Sequence, residues 1–315
     1  MKEWQGNSCH FFAKRNSVEI MKKFKKQWQY HLMLLPGVIL VFIFCYIPLY
    51  GLVIAFEKYN PALGFASPWV GLDNFRFIFS QPAFLRTIGN TFFIAIFKLA
   101  GGIIVPVTAA LLLNELYSEK LKRTLQTLIY VPNFLSWVIM AGVLMDILSG
   151  DGVINQFLNM FGIKSVNFLG SSNVFPWTMI VSDIWKGFGF GTVVYLAALT
   201  GIDPSLYESA MLDGASRWQK MTKITIPLLK PTIILMLVLS LGSVLDAGFD
   251  QIFNLYAPIV YDRGDIIDTY VYRLGIQQAQ YSVGAAVGMF KSAVSCVLVG
   301  ISYVMADKLA NYRIF

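Results

Sequence analysis

The chain has 315 residues, of which 56% are hydrophobic and 14% charged, and its mean hydropathy is +0.60. A soluble domain carries about 25% charged residues, so the composition excludes an ordinary water-soluble enzyme and indicates a polytopic membrane protein. The net charge of +7 does not indicate nucleic acid, which needs a basic face on a soluble fold; lysines at a membrane surface account for it.

Residues 1–29 form a basic tail in which Lys22, Lys23, Lys25 and Lys26 precede the first apolar run. That order also opens a secretory leader, but this apolar run is too long and lacks a small-residue cleavage site, so it reads as an uncleaved anchor. A bilayer crossing takes about 20 mostly apolar residues. Six segments qualify: residues 30–56, 88–114, 125–148, 175–200, 232–249 and 284–306. Helices are the expected form, because a lipid-exposed backbone must satisfy its own hydrogen bonds. The prediction is an all-α protein with one membrane domain over residues 30–306 and a short tail over 307–315. It shows no internal repeat and no separate soluble domain.

Lys and Arg set the orientation of such a chain. With the N-terminus inside, 16 of the 25 basic residues fall in inside segments and six in outside ones. The remaining three, Lys98, Lys186 and Lys291, lie within spans. Both termini and the polar segment 203–231 are thereby expected in the cytoplasm. Cys9, Cys45 and Cys296 are far apart and the histidines are His10 and His31. Neither a zinc site nor a disulfide framework is expected.

Segment 203–231 joins the fourth and fifth spans and has strong local signals. Asp203 can cap free N–H groups and Pro204 suits a first helical position, so a helix is predicted over 204–212. Gly214 can end it in the left-handed conformation. Ser216 and Gln219 form a capping box for a second helix, and Pro227 and Pro231 bound the entry to the fifth span. Small Ser209 and Ala210 admit a close partner surface, and Glu208 offers a charge to a cationic one.

Glu208, Asp213 and Gly214 are followed at fixed distance by Ile224 and Pro227. This pattern resembles the EAA loop of ATP-binding-cassette (ABC) importer permeases, roughly E-A-A-x-x-x-G and then I-x-L-P. Ser209 replaces the first alanine, Met221 stands where an aromatic is common, and Ile226 replaces leucine. These are conservative departures that bear on partner preference. The resemblance covers nearly the whole chain. Residues 69–75, W-V-G-L-D-N-F, look like an outer-loop element of sugar permeases, and Asn90-Thr91 opens the second span as in that family. Asn114-Glu115, Gln126 and Pro132-Asn133 resemble the branch importing oligosaccharides and polysaccharide fragments. Residues 199–203 lead into the loop as in relatives.

The resemblance implies a type I importer fold with six transmembrane helices in a bacterial cytoplasmic membrane. It implies an unlike partner permease, two cytoplasmic ATPase subunits and an extracytoplasmic solute-binding protein. ATP and Mg would be used by the ATPases, with no cofactor and no catalysis in this chain. The loop would form a short helix docking into the ATPase, which makes Glu208, Ser209, Ala210, Asp213, Gly214, Ala215, Ile224 and Pro227 the coupling residues.

Charged groups within spans face a bundle interior or a water-filled cavity by default. Asp183, Lys186, Gly187 and Phe190 share one helical face of the fourth span, and Lys186 can pair with Asp183. Ser243, Asp246, Ala247 and Asp250 make a matching stripe in the fifth. In the family, sugar contacts come from the helices flanking the loop, so both stripes are candidate sugar contacts. Trp185 adds an aromatic face for sugar C–H groups, against the simpler role of packing on lipid or helices. Lys98 is the further mid-span cation, and Lys291 reads as snorkelling or holding a helix carbonyl. Cations favour an anionic sugar and the aspartates argue against it, so substrate charge stays open. The run from Gly284 to Ser292 lacks the contiguous Gly-Lys-Ser/Thr of a phosphate loop; Gly284 and Gly288 read as a small-residue helix contact. The alternatives are an ion-coupled carrier, which leaves the loop unexplained, and a membrane enzyme, for which no catalytic constellation is visible.

Overall fold

The computed structural model describes residues 27–310. The basic run at 22–26, Cys9, His10 and the last five residues lie outside the described residues. Cα proximity divides the chain into two units, Met1–Val53 and Ile54–Phe315. In the first, helix α1 (Trp28–Val41) continues through a π-turn (Phe42–Tyr46) into a 3₁₀ stretch (Ile47–Phe56) that ends in the second unit. It is apolar all round, as a membrane span is.

The second unit is also helical. Short α2 (Asp73–Ser80) precedes the long α3 (Pro82–Asn114). Helix α4 (Glu119–Tyr130) ends in a 3₁₀ turn (Val131–Phe134) and is followed by α5 (Trp137–Ile147) and α6 (Val153–Met160). Next come α7 (Phe175–Thr200), α8 (Pro204–Leu212) and α9 (Arg217–Lys220). A π-turn (Met221–Thr225) leads into α10 (Ile226–Leu241). Three short helices, α11 (Phe249–Leu255), α12 (Tyr261–Gly264) and α13 (Ile267–Val271), precede α14 (Tyr281–Ala310).

Trp28–Phe56, Pro82–Asn114, Arg217–Leu241 and Tyr281–Val304 are long and apolar enough to cross a membrane. Helix α7, at 26 residues, measures about 39 Å but is made less apolar by Asp183, Lys186 and its glycines. The expected third span, 125–148, is not one helix. It is bent by 106° between Glu119–Phe134 and Trp137–Ile147. Pro132 lacks a backbone N–H, and Ser136 starts the new helix by accepting from the Ile139 N–H at 3.3 Å. The expected fifth span, 232–249, is also broken. The helix stops at Leu241 and the chain unwinds over 242–248 before α11.

Helices α3 and α7 run parallel. Contacts advance together from Gly101 against Ile184 to Pro106 against Gly191 and Thr192. Ala110 and Leu113 then share a buried cluster with Tyr195, Leu196 and Leu199. Parallel neighbours require the chain between them to return, and the bent pair is that return. Leu229 of α10 joins the same cluster, so α10 runs back along α7. Helix α14 is antiparallel to α10, since Asp246 meets Lys291 and Gly242 faces Val299. Segment 200–226, the α3–α4 turn and the end of α14 therefore share one side of this unit. Gly284 lies against Gly275, where an added Cβ would come within 2.8 Å of Cα, as a small-residue contact should; Gly288 meets nothing within 4 Å.

On the other side, the W-V-G-L-D-N-F element is a structural latch. Gly71 takes a positive φ of 61°, Trp69 stacks on Phe56, and Asn74 donates to the carbonyls of Ala55 (2.9 Å) and Glu57 (3.0 Å). Asn90 and Thr91 do similar work. Asn90 donates to the Asp262 carbonyl at 3.0 Å, and Thr91 accepts from the Ile267 N–H at 3.0 Å. The turn they hold buries Asp265, which receives the Arg273 guanidinium and the Thr269 hydroxyl. Burial alone would lower the Arg273 pKa, but the hydrogen bonds and charge of Asp265 raise it overall.

Candidate functional site

Two regions of the second unit carry the predicted residues. The first is the segment after α7. Asp203 caps α8 by accepting from the Ser205 N–H at 2.9 Å. That hydrogen bond holds its carboxyl below the usual range. Helix α8 covers Glu208, Ser209 and Ala210 and stops at Asp213, and Gly214 turns left-handed with φ +78°. The capping box of Ser216 and Gln219 is formed in both directions. Pro227 and Pro231 do not delay the next span: α9, the π-turn holding Ile224 and α10 run on as Arg217–Leu241. Pro227 falls just after the π-turn and Pro231 lies inside α10.

The Tyr207 hydroxyl meets the Thr225 hydroxyl at 3.0 Å and ties α8 back to this span. Arg217 lies over the Tyr117 ring at 4.8 Å and donates to its hydroxyl, linking the segment to the α3–α4 turn. Glu208, Ser209, Asp213 and Gly214 are exposed, while Ala210, Ala215 and Ile224 are half-buried. Leu212 is 90% exposed and Trp218 69%.

The second region is a polar cavity of about 190 Å³ between α3, α7 and the unwound stretch 242–248. Lys98, Asp183, Ser240, Ser243, Asp246 and Ala247 line it. Lys98, only 9% exposed, pairs with Asp183 at 3.4 Å, so Asp183 meets Lys98 and not Lys186. Lys98 also donates to the Ala247 carbonyl at 2.8 Å and to Gln251 Oε1. Gln251 in turn donates to the Met179 carbonyl and Ser182 Oγ. Gly248 has φ +94°, a conformation that favours glycine, and a Cβ there would lie 2.6 Å from Lys98 Nζ, which would have to shift. Lys291 bonds Asp246 at 2.7 Å and both oxygens of Asp268 at 2.7 and 2.9 Å.

The cavity brings together five predicted residues: Lys98, Asp183, Ser243, Asp246 and Ala247. It does not bring in the others. The stripe through Ser243, Asp246, Ala247 and Asp250 is not a helical face, because the helix ends before it. Asp250 sits exposed on α11. Lys186 reaches the broken third span, donating to the Asn133 carbonyl at 3.3 Å and lying over the Trp137 ring at 5.1 Å. Trp185 borders an apolar hollow of about 520 Å³ whose hydroxyls are Thr178 and Ser182. That hollow lacks the polar groups that orient a sugar. Gly187 has open space around its Cα, and Phe190 is exposed. Ser240, Gln251 and Asp268 were not foreseen. Asp246, with Gly248 between it and α11, was the available signal.

The match with known proteins is extensive. A family model described as "Binding-protein-dependent transport system inner membrane component" matches residues 102–310. The chain is 40% identical over 306 residues to the polygalacturonan/rhamnogalacturonan transport system permease protein YteP of Bacillus subtilis (strain 168), covering 96% of this chain and 95% of that one. It is 41% identical over 283 residues to protein LplB of the same organism, covering 89% of each. Among solved structures, it is similar to a bacterial ABC transporter involved in the import of the acidic polysaccharide alginate. The TM-score is 0.86 and the identity 41%, over 92% of this chain and 99% of that one. A second structure, the alginate transporter in complex with an alginate pentasaccharide-bound periplasmic protein, matches with a TM-score of 0.84 at 41% identity over 92% of this chain and 97% of that one. With the broken spans and the ordered loop, these matches make the chain a member of the binding-protein-dependent transport system inner membrane component family, the non-catalytic permease subunits of ABC importers.

Proposed function

We propose that the chain is the membrane subunit of an ATP-driven importer of oligosaccharides or polysaccharide fragments, coupled to its ATPases through segment 203–231. The observation that carries the coupling is the ordered loop: capped α8, the left-handed Gly214 and a rigid continuation into α10, with Glu208 and Leu212 presented outward. The named substrates of YteP and the alginate importer support the substrate class. The periplasmic protein bound in the alginate complex supports a binding-protein partner. An unlike second permease, two ATPases carrying ATP and Mg, and a cytoplasmic position for the termini and the loop complete the proposal. On this reading, ATPase closure displaces α8, the bundle opens outward to accept sugar, and hydrolysis returns it inward. Each state needs contacts the other lacks.

The test is co-purification from native membranes in mild detergent. Wild type is expected to recover an ATPase and a second permease. The Glu208→Ala/Gly214→Trp variant is expected to lose the ATPase at least tenfold while still inserting. A side chain at the left-handed Gly214 costs about 1–2 kcal/mol, and about 1.4 kcal/mol is a factor of ten in binding. Equal ATPase recovery with wild type and variant would refute the coupling role. Uptake that survives ATP depletion with an ion gradient intact would refute the pump.

A further inference from the structure

The polar cavity has a charge balance that does not suit an acidic sugar. An ammonium group has three donors and no acceptor. Lys98 spends its donors on Asp183, the Ala247 carbonyl and Gln251. Lys291 spends its own on Asp246 and Asp268. Neither lysine has a donor left for a ligand. Around the cavity, two lysines face three aspartates, which leaves one net negative charge among these described residues. Asp183 and Asp246 engage their cations through Oδ1. Their Oδ2 atoms can accept further hydrogen bonds, and Asp246 is 69% exposed. Ser240 and Ser243 add hydroxyls to the same lining.

Resting on the import reading above, we propose that this cavity takes one uncharged sugar unit of the passing chain and disfavours a uronate there. Sugar hydroxyls donate to Asp246 and Asp183 and exchange hydrogen bonds with Ser240 and Ser243. A uronate carboxylate would meet like charge with every nearby cation already engaged. At about 190 Å³ the cavity lies below the ~300–1,000 Å³ of pockets for drug-sized ligands, which suits a single ring. Related systems are named for acidic polysaccharides; in such a chain this point would read a neutral, esterified or protonated unit.

The test uses the whole importer, with partner permease, ATPases and binding protein, in proteoliposomes. The probes are trigalacturonate and its methyl ester, which differ in charge. The readout is the ratio of ester to acid uptake rates. With the same binding protein throughout, a change in this ratio between variants reports on this chain. Wild type is expected to favour the ester at least tenfold. Asp246→Asn is expected to lower the ratio about tenfold, and Ser243→Asp, which adds an acid at an exposed position, to raise it. Faster uptake of the acid by wild type would overturn the proposal, as would a ratio that neither variant moves. Failure of the assembled, ATP-hydrolysing complex to take up either probe would instead overturn the import reading for such sugars, and the proposal with it.

Discussion

Lys98→Met is expected to lower the unfolding temperature of the solubilised protein by on the order of 10 °C and to abolish transport. Removing one member of a buried ion pair costs about 3–5 kcal/mol, because the other charge is left uncompensated. Here the loss is compounded. Asp183 loses its cation, the Ala247 carbonyl loses its donor at the end of the unwound stretch, and Gln251 loses a partner. Adding Asp183→Asn to Lys98→Met removes the stranded charge but not the stranded carbonyl, so the double variant should regain about half of the loss. Thermal unfolding followed by tryptophan fluorescence separates these cases. A single variant melting with wild type would show that the pair contributes nothing. A double variant no more stable than the single would place the loss in the carbonyl alone.

Gly189→Val is expected to remove folded protein from the membrane, while Gly187→Ala, two residues away on the same helix, leaves it unchanged or slightly more stable. A Cβ at Gly189 would strike the Ile129 carbonyl oxygen and lie 2.5 Å from its carbonyl carbon. These are backbone atoms of α4 and cannot swing aside. Overpacking that only side chains must absorb costs about 1–3 kcal/mol, and this clash requires a whole helix to move. At Gly187 nothing lies within 4 Å, and alanine gains about 0.5–1 kcal/mol of helix propensity over glycine. Size-exclusion profiles of tagged protein from membranes read both outcomes. A monodisperse peak of wild-type height for Gly189→Val would sink the prediction.

The fold of segment 203–231 was legible because its determinants are local. The Asp203 cap, the left-handed Gly214 and the Ser216–Gln219 box each act across a few residues, and the helix formed over the residues they bracket. The two broken spans were not read from hydropathy. Pro132 inside the third apolar run was a visible warning that run length outweighed. In the fifth run there is no proline between Thr232 and Phe249, and the unwound stretch is held by Lys98 and Lys291. Their hydrogen-bonding partners Ala247 and Asp246 lie 149 and 45 positions away in sequence. A pattern within one helix cannot register such a partner. For the same reason Asp183 was paired with its helical neighbour Lys186, when the closer cation came from α3. The charged residues themselves were identifiable, because a bilayer makes each of them conspicuous; which one meets which is a property of the packed bundle.

The glycine seams along α7 have a mechanical meaning. Where Gly189 presses on Ile129 backbone, and Gly101 and Gly191 admit Ile184 and Pro106, little compressible side chain separates α3, α4 and α7. Surfaces that close cannot slide without colliding, so these three helices behave as a single stiff block. The ion-held stretch 242–248 keeps only turn-type backbone bonds, from the N–H groups of Gly242, Ser243, Val244 and Asp246 to carbonyls three residues back, and is otherwise secured by the side chains of Lys98 and Lys291. On the import reading proposed above, the expected joint is this stretch, with α10 changing its angle to the α3–α4–α7 block.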